Sequence, residues 1–253
     1  MEFIGIIPAR YASTRFPGKP LAMLGGKTVI QRVYQQVAAV LPTVVVATDD
    51  SRISEAVESF GGRVVMTSPH HKSGTDRIQE AVTKLRDEGQ LPTDLVVVNV
   101  QGDEPFIQPS QIETVCRQFD DAETQIATLA KPFGTADITN ANSPKVVTDL
   151  RGYALYFSRS VIPYLRGVPQ ELWGSTFTFM KHIGLYAYRA DVLAQITALP
   201  QSPLEKAESL EQLRWLQNGY RIRVGITDIE TVGIDTPDDL QRAEAFLKEQ
   251  SGT

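Results

Sequence analysis

Near the N-terminus, the run Pro8-Ala-Arg-Tyr-Ala-Ser-Thr-Arg-Phe-Pro-Gly-Lys19 gathers three cations, Arg10, Arg15 and Lys19, among the small residues Ala9, Ala12, Ser13 and Gly18. Small residues let backbone N–H groups approach phosphate oxygens, and clustered cations offset the charge of a polyphosphate. The run carries no Walker pattern. A basic segment beside glycine and proline is often only a solvated loop. Here three cations follow directly on the apolar stretch Phe3 to Ile7 in a chain of net charge −5, which favours a phosphate cradle.

A second segment, Gln101-Gly-Asp-Glu-Pro105, follows the apolar run Leu95 to Val100. It puts Asp103 at the carboxyl end of a strand, where a magnesium ion held by substrate phosphates needs carboxylate oxygens. Asp and Gly are also common turn residues, so a metal role requires a second carboxylate. Asp235, in Gly233-Ile-Asp-Thr-Pro237, is the candidate, although Asp-Thr-Pro equally marks a helix start with Asp235 as its cap. Ser73-Gly-Thr-Asp-Arg77 reads as a helix N-terminus with Asp76 favourable to the dipole. His70 and His71 are adjacent, share no helix face and lack ligand spacing, so they read as loop residues. His182 alone reads as structural, and the single cysteine, Cys116, reads as buried and inert.

The elements that must position these groups follow from periodicity. Thr28 with Gln31 opens a helix over Val29, Ile30, Val33 and Val37, and Thr43 to Thr48 reads as a strand. A helix carries Ile53, Val57 and Phe60, Arg63 to Thr67 is a strand, and a helix after Ser73 carries Ile78, Ala81, Val82 and Leu85. Apolar strands separated by helices predict an α/β fold with a mostly parallel central sheet covered on both faces. From about Ser143 the strands 145–148, 153–157 and 182–188 come closer together and richer in aromatics, which predicts an added small sheet. A helix over Ala207 to Leu216, a strand over Arg221 to Ile226 and a helix from about Pro237 end the chain. No linker or repeat divides residues 1–253, so one domain is expected. A pI near 5.3 argues against a nucleic-acid surface. No apolar run is long enough to span a membrane, which predicts a soluble protein, and the N-terminus reads as a strand rather than a signal peptide. No G-x-G-x-x-G follows a strand, which sets aside a dinucleotide-dependent dehydrogenase.

The N-terminal loop resembles the signature of sugar nucleotidyltransferases and, more narrowly, of the CMP-Kdo synthetases (Kdo, 3-deoxy-manno-octulosonate). The similarity continues in order through Ala47-Thr-Asp49, Ser73-Gly-Thr-Asp-Arg77, Asn99 to Pro105, Tyr153 to Arg159, His182-Ile-Gly, Ser202 to Glu205, Leu210-Glu-Gln-Leu213 and Gly233 to Leu240. One departure is Asp76, where the family more often has Glu. The resemblance implies a Rossmann-like nucleotide-diphospho-sugar transferase fold. It implies Ala9, Arg10, Ser13, Arg15, Lys19, Ser73, Gly74, Arg77 and Gln101 as nucleotide-binding, with Lys19, Arg15, Asp103 and Asp235 catalytic. It also implies Asp103 and Asp235 as ligands of Mg2+, and Gln101, Arg159, His182, Tyr186, Glu211 and Gln212 as sugar-binding. Residues 1–140 would then serve mainly the nucleotide, and 141–253 mainly the sugar and a homodimer contact.

The activity implied is transfer of CMP from CTP to the anomeric hydroxyl of Kdo, with release of pyrophosphate, in the service of lipopolysaccharide biosynthesis. The sugar hydroxyl would attack the α-phosphorus directly, with no covalent enzyme intermediate. Metal coordination lowers the pKa of such a hydroxyl, so no histidine base is required. Two rivals are a CMP-sialic acid synthetase and a non-catalytic nucleotide-binding regulator on the same fold. Tyr156-Phe-Ser-Arg159 and Leu210-Glu-Gln-Leu213 favour Kdo over sialic acid, and the joint presence of Lys19, Asp103 and Asp235 argues against lost chemistry.

Overall fold

In the computed structural model, which describes residues 1–134, 138–230 and 233–251, the first apolar run forms β1 (Glu2–Ala9), buried from Ile4 to Ile7. The loop after it settles in a 3-10 turn at Lys19–Leu21 and a small hairpin, β2 (Met23–Leu24) with β3 (Lys27–Thr28). Helix α1 (Val29–Ala38) starts where its cap predicts, with Thr28 Oγ1 accepting the Gln31 N–H at 3.2 Å. Next come β4 (Val44–Thr48), α2 (Ser51–Ser59) and β5 (Arg63–Met66). Helix α3 (Gly74–Asp87) is capped by Ser73, whose Oγ accepts the Asp76 N–H at 3.0 Å. Strand β6 (Leu95–Asn99), helix α4 (Pro109–Arg117) and strand β7 (Ile126–Pro132) follow.

The second half holds the hairpin β8 (Lys145–Thr148) and β9 (Ala154–Ser158), the single turn α5 (Trp173–Thr176), and the long strand β10 (Met180–Arg189). Helices α6 (Ala190–Thr197), α7 (Pro203–Glu208) and α8 (Gln212–Gln217), strand β11 (Ile222–Ile226) and helix α9 (Pro237–Ser251) complete it.

The main sheet runs β11-β7-β10-β6-β1-β4-β5. Neighbours are parallel except that β10 lies antiparallel between β6 and β7. The β8–β9 hairpin is an antiparallel branch of this same sheet, joined to β10 through the pair Lys181 and Lys145. Alternation along β1 sends Ile4 and Ile6 to one core, with Ile78 and Val82 of α3 and Leu193 of α6. Ile7 and Ala9 go to the other, with Val33 of α1, Ile53 of α2 and Ile112 of α4. Both faces are therefore covered, which is why β4 and β6 are apolar almost throughout and wholly buried.

One expectation needs correction. The helix over Ala207 to Leu216 is two short helices, broken at Ser209, whose φ of 51° is left-handed. Arg159 takes the carbonyls that a continuous helix would use: its Nε donates to Glu208 O at 2.7 Å and its Nη2 to Ser209 O at 3.4 Å. Leu210, between the helices, is buried in the core. Apolar burial and the arginine clamp outweigh the helical propensity of the segment.

Candidate active site

Strands β1 and β6 are parallel neighbours, so the loops at their carboxyl ends meet over the sheet edge. Gly102 makes the meeting close: a Cβ there would stand 2.9 Å from the Pro8 carbonyl oxygen. Gly18, at φ 73° with the Tyr11 ring packed against it, starts the 3-10 turn that carries Lys19. The Lys19 side chain is only 12% exposed. Its Nζ donates to Asp103 Oδ2 at 2.5 Å and to Asp235 Oδ1 at 3.2 Å, and Arg15 Nη2 lies 3.2 Å from the same Asp235 oxygen. Around this knot is a cleft of about 250 Å³. Ala9, Arg10, Ser13, Arg15 and Lys19 line it from the β1 loop, Ser73, Gly74 and Arg77 from the start of α3, and Gln101, Asp103 and Asp235 from the remaining side. Every residue expected at the nucleotide thus lines one cleft.

The alternative role for Asp235, capping α9, falls to its neighbours. Thr236 Oγ1 accepts the Asp239 N–H at 3.2 Å, and Asp239 Oδ2 accepts the N–H groups of Asp235 at 3.1 Å and Thr236 at 2.8 Å. Burial would raise the Asp239 carboxyl, but these bonds and Arg242 outweigh it and hold it at about 2. The Asp235 carboxylate is left to the cleft. Its segment is tied to the other aspartate by backbone, since Ile234 N–H donates to Asp103 O at 2.8 Å. Two carboxylates converging on one cation are hard oxygen donors of the kind magnesium takes when phosphates and water complete its shell. No cluster of three potential ligands exists among the described residues, so a metal here would depend on substrate oxygens.

The opposite wall was less legible. Arg77 is buried, with Nη1 donating to Thr67 Oγ1 at 2.6 Å and Nη2 lying 3.2 Å from Asp49 Oδ2, so Asp49 fixes it from the end of β4. His71, expected only as a loop residue, lines the cleft, and its Nε2 pairs with Glu80 of α3. Burial would raise the Glu80 carboxyl, but bonds from Lys84, the Ser68 N–H and His71 hold it at about 2. No local pattern pairs a loop histidine with a carboxylate on the following helix. Lys72 also lines the cleft and was not anticipated.

The residues expected at a sugar gather beside this cleft and are bonded to it. Gln101 Nε2 donates to Asn99 Oδ1 at 3.0 Å, and Asn99 Nδ2 to the Tyr188 hydroxyl at 3.4 Å. Thr75, one residue beyond Gly74, donates its hydroxyl to Glu211 Oε2 at 2.8 Å. The rings of His182, Tyr186, Tyr188 and Trp215 pack on one another at 5.2–5.9 Å. His182 Nε2 sits 3.1 Å from Thr128 Oγ1, and burial pulls its pKa down to about 4, so the ring is neutral at pH 7. Burial pushes the Glu211 carboxyl upward against the Thr75 bond and the Arg214 charge. Arg214 itself pairs with the buried Glu205 at 2.5 and 2.8 Å. Three buried polar atoms of this cluster, Tyr186 Oη, Gln212 Nε2 and Trp215 Nε1, have no partner of hydrogen-bonding geometry among the described residues. Arg159 stands apart from this set, because its guanidinium is taken up by the carbonyls of Glu208, Ser209 and Ala141.

The cytidylyltransferase family model matches residues 4–223. A 3-deoxy-manno-octulosonate cytidylyltransferase from Phocaeicola vulgatus is 65% identical, with all of both chains covered. One from Bacteroides thetaiotaomicron is also 65% identical over 99% of this chain and all of its own. A solved CMP:2-keto-3-deoxy-manno-octonic acid synthetase in complex with CTP superposes with a TM-score of 0.89 at 41% identity, covering 99% of this chain and 100% of that one.

Proposed function

The chain belongs to the cytidylyltransferase family, and from that premise we propose which of its residues carry the transfer of CMP from CTP to Kdo. The observation that carries the proposal is the meeting of Lys19, Arg15, Asp103 and Asp235 at the mouth of a cleft walled by small and basic residues. CTP lies in that cleft, with Arg10, Ser13, Ser73, Gly74 and Arg77 around it. Lys19 and Arg15 face the phosphates and stabilise the charge that grows on the departing pyrophosphate. Asp103 and Asp235 hold Mg2+, which supplies Lewis-acid stabilisation of phosphate charge. The anomeric hydroxyl of Kdo forms its bond to the α-phosphorus as the bond to pyrophosphate breaks, and no enzyme side chain is modified. The neutral His182, whose Nε2 meets the Thr128 hydroxyl and which pairs with no carboxylate among the described residues, is suited to hydrogen bonding rather than to general-base work.

Kdo is placed against Gln101, His182, Tyr186, Glu211 and Gln212. The support is that two buried polar atoms in this set lack partners, a costly arrangement unless a ligand satisfies them. A matrix of nucleotides against acidic sugars, read by pyrophosphate release, tests the reaction. CTP with Kdo should be the productive pair, and equal release with sialic acid would refute the sugar assignment. Tyr186→Phe tests the placement more sharply. Deleting a hydroxyl with no partner of hydrogen-bonding geometry among the described residues should leave the melting temperature unchanged or raise it, by no more than about 1 kcal/mol in stability. The same variant should raise the KM for Kdo roughly tenfold while leaving that for CTP unaltered.

A two-fold dimer is proposed through the second half. Leu150 and Leu155 at the β8–β9 hairpin and Tyr164 beyond it are large apolar residues left exposed, more than a free surface there needs. Light scattering at micromolar concentration should give twice the chain mass of 27.9 kDa, and a monomer mass would end this reading. No helix among the described residues is long and apolar enough to cross a membrane. Cytoplasmic action, where CTP is available, is part of the same proposal.

A further inference from the structure

We propose that Lys19 is the resident counter-ion of the Asp103 and Asp235 pair and opposes entry of a divalent metal until a nucleoside triphosphate draws it away. The inference rests on the reading of these two aspartates as the magnesium ligands. Lys19 Nζ stands 2.5 Å from Asp103 Oδ2 and 3.2 Å from Asp235 Oδ1, and Arg15 Nη2 stands 3.2 Å from that same Asp235 oxygen. Two carboxylates are therefore met by two cations, and the cluster is electrically balanced before any metal arrives. A divalent ion bound to these oxygens would sit within a few ångströms of an ammonium that is only 12% exposed, where water screens like-charge repulsion poorly.

A triphosphate reverses the balance. It brings several negative charges into the cleft, and phosphate oxygens are acceptors for both Lys19 and Arg15. The lysine backbone does not need to move. Gly18 is in the left-handed region against the Tyr11 ring, and Leu21 N–H closes the 3-10 turn on Gly18 O at 2.8 Å, so the exchange belongs to the side chain. Once the ammonium turns to phosphate, the carboxylate oxygens it held are available to the metal. Metal and nucleotide then favour each other's binding by the same factor, and Lys19 carries part of that coupling.

The test is Mn2+ binding to the full chain, followed by electron paramagnetic resonance, without nucleotide and with CTP in the absence of Kdo. Lys19→Gln keeps a hydrogen-bond donor of similar reach but no charge. It should bind Mn2+ about tenfold more tightly than wild type without nucleotide, and the factor by which CTP tightens Mn2+ binding should shrink accordingly. Arg15→Gln, which alters a more exposed partner of one carboxylate only, should give a smaller gain of about threefold. If neither variant tightens nucleotide-free Mn2+ binding, the proposal is wrong; the Arg15 variant keeps the test decisive should Lys19→Gln fail to fold. Asp103→Asn separates the proposal from the reading beneath it. Loss of Mn2+ from the CTP complex in this variant supports the metal ligands whatever Lys19 does, whereas wild-type Mn2+ affinity with CTP overturns the metal reading and this inference together.

Discussion

Asp103→Asn is expected to lower kcat by about two to three orders of magnitude at saturating Mg2+ while leaving the affinity for CTP within a few-fold of wild type. The amide keeps the shape of the side chain and the backbone bond from Ile234 to Asp103 O, so the loop should hold. What disappears is one anionic oxygen from a set of two, in a site where no third protein carboxylate can replace it among the described residues. The same change removes the closest partner of Lys19, so the lysine is freer to reach phosphate, and CTP binding has no reason to weaken greatly. Steady-state kinetics with calorimetry of CTP binding separates these effects. Asp235→Asn should lose less, because that carboxylate is more exposed, at 49% against 32% for Asp103. If Asp103→Asn kept wild-type kcat, the residue would return to the role of a turn former.

Lys19→Ala is expected to lower kcat about a hundredfold and to raise the KM for CTP only several-fold. The reason for the split lies in where the charge is. Leaving the two aspartates offsets part of what the ammonium gains at the bound triphosphate, whereas negative charge on the leaving group grows as the reaction proceeds, so the lysine matters most in the transition state. Arg10, Arg15 and Arg77 remain to hold the ground-state triphosphate. A variant that lost CTP binding altogether with kcat unchanged would place Lys19 in uniform binding instead. Either way the Kdo KM should not move, since the bonds of this side chain among the described residues go to Asp103 and Asp235 and to none of the residues proposed for the sugar.

Much of this site could be read before folding, because its parts are local. The Thr28 and Ser73 caps, the buried strands and the basic loop after β1 each depend on a few adjacent residues, and each forms as its types and spacing predict. Asp103 and Asp235 could be suspected only as a pair, since either alone is an ordinary turn or cap residue; the Thr236 and Asp239 cap leaves the Asp235 carboxylate off the helix end. What stayed hidden are contacts between distant segments. Periodicity says nothing of strand order, so the insertion of β10 between β6 and β7 left no local trace. The break at Ser209 depends on Arg159, about fifty residues away in sequence, binding backbone carbonyls that look identical in every residue. That same geometry gives Arg159 a structural task whatever else it does: its guanidinium locks the turn two residues before Glu211. The pairing of His71 with Glu80 was invisible for a similar reason: the recognisable partner of Glu80 is Lys84, four residues on along α3, and nothing in the spacing points to a histidine in the preceding loop.

The place of β10 has a consequence for how such an enzyme can be altered. This strand carries His182 and Tyr186, yet its two edges are zipped to strands from the first half of the chain, Tyr186 opposite Asn99 and Tyr188 opposite Ile126. A fragment ending near residue 140 would leave the apolar edges of β6 and β7 bare, with Val96, Val97 and Val98 offered to any passing chain. The first and second halves of the chain are therefore not interchangeable modules. Exchanging one acidic sugar for another by grafting the second half from a relative would mean re-cutting the middle of the sheet, and with it the core that Leu213 and Trp215 of α8 share with Tyr186 and Tyr188.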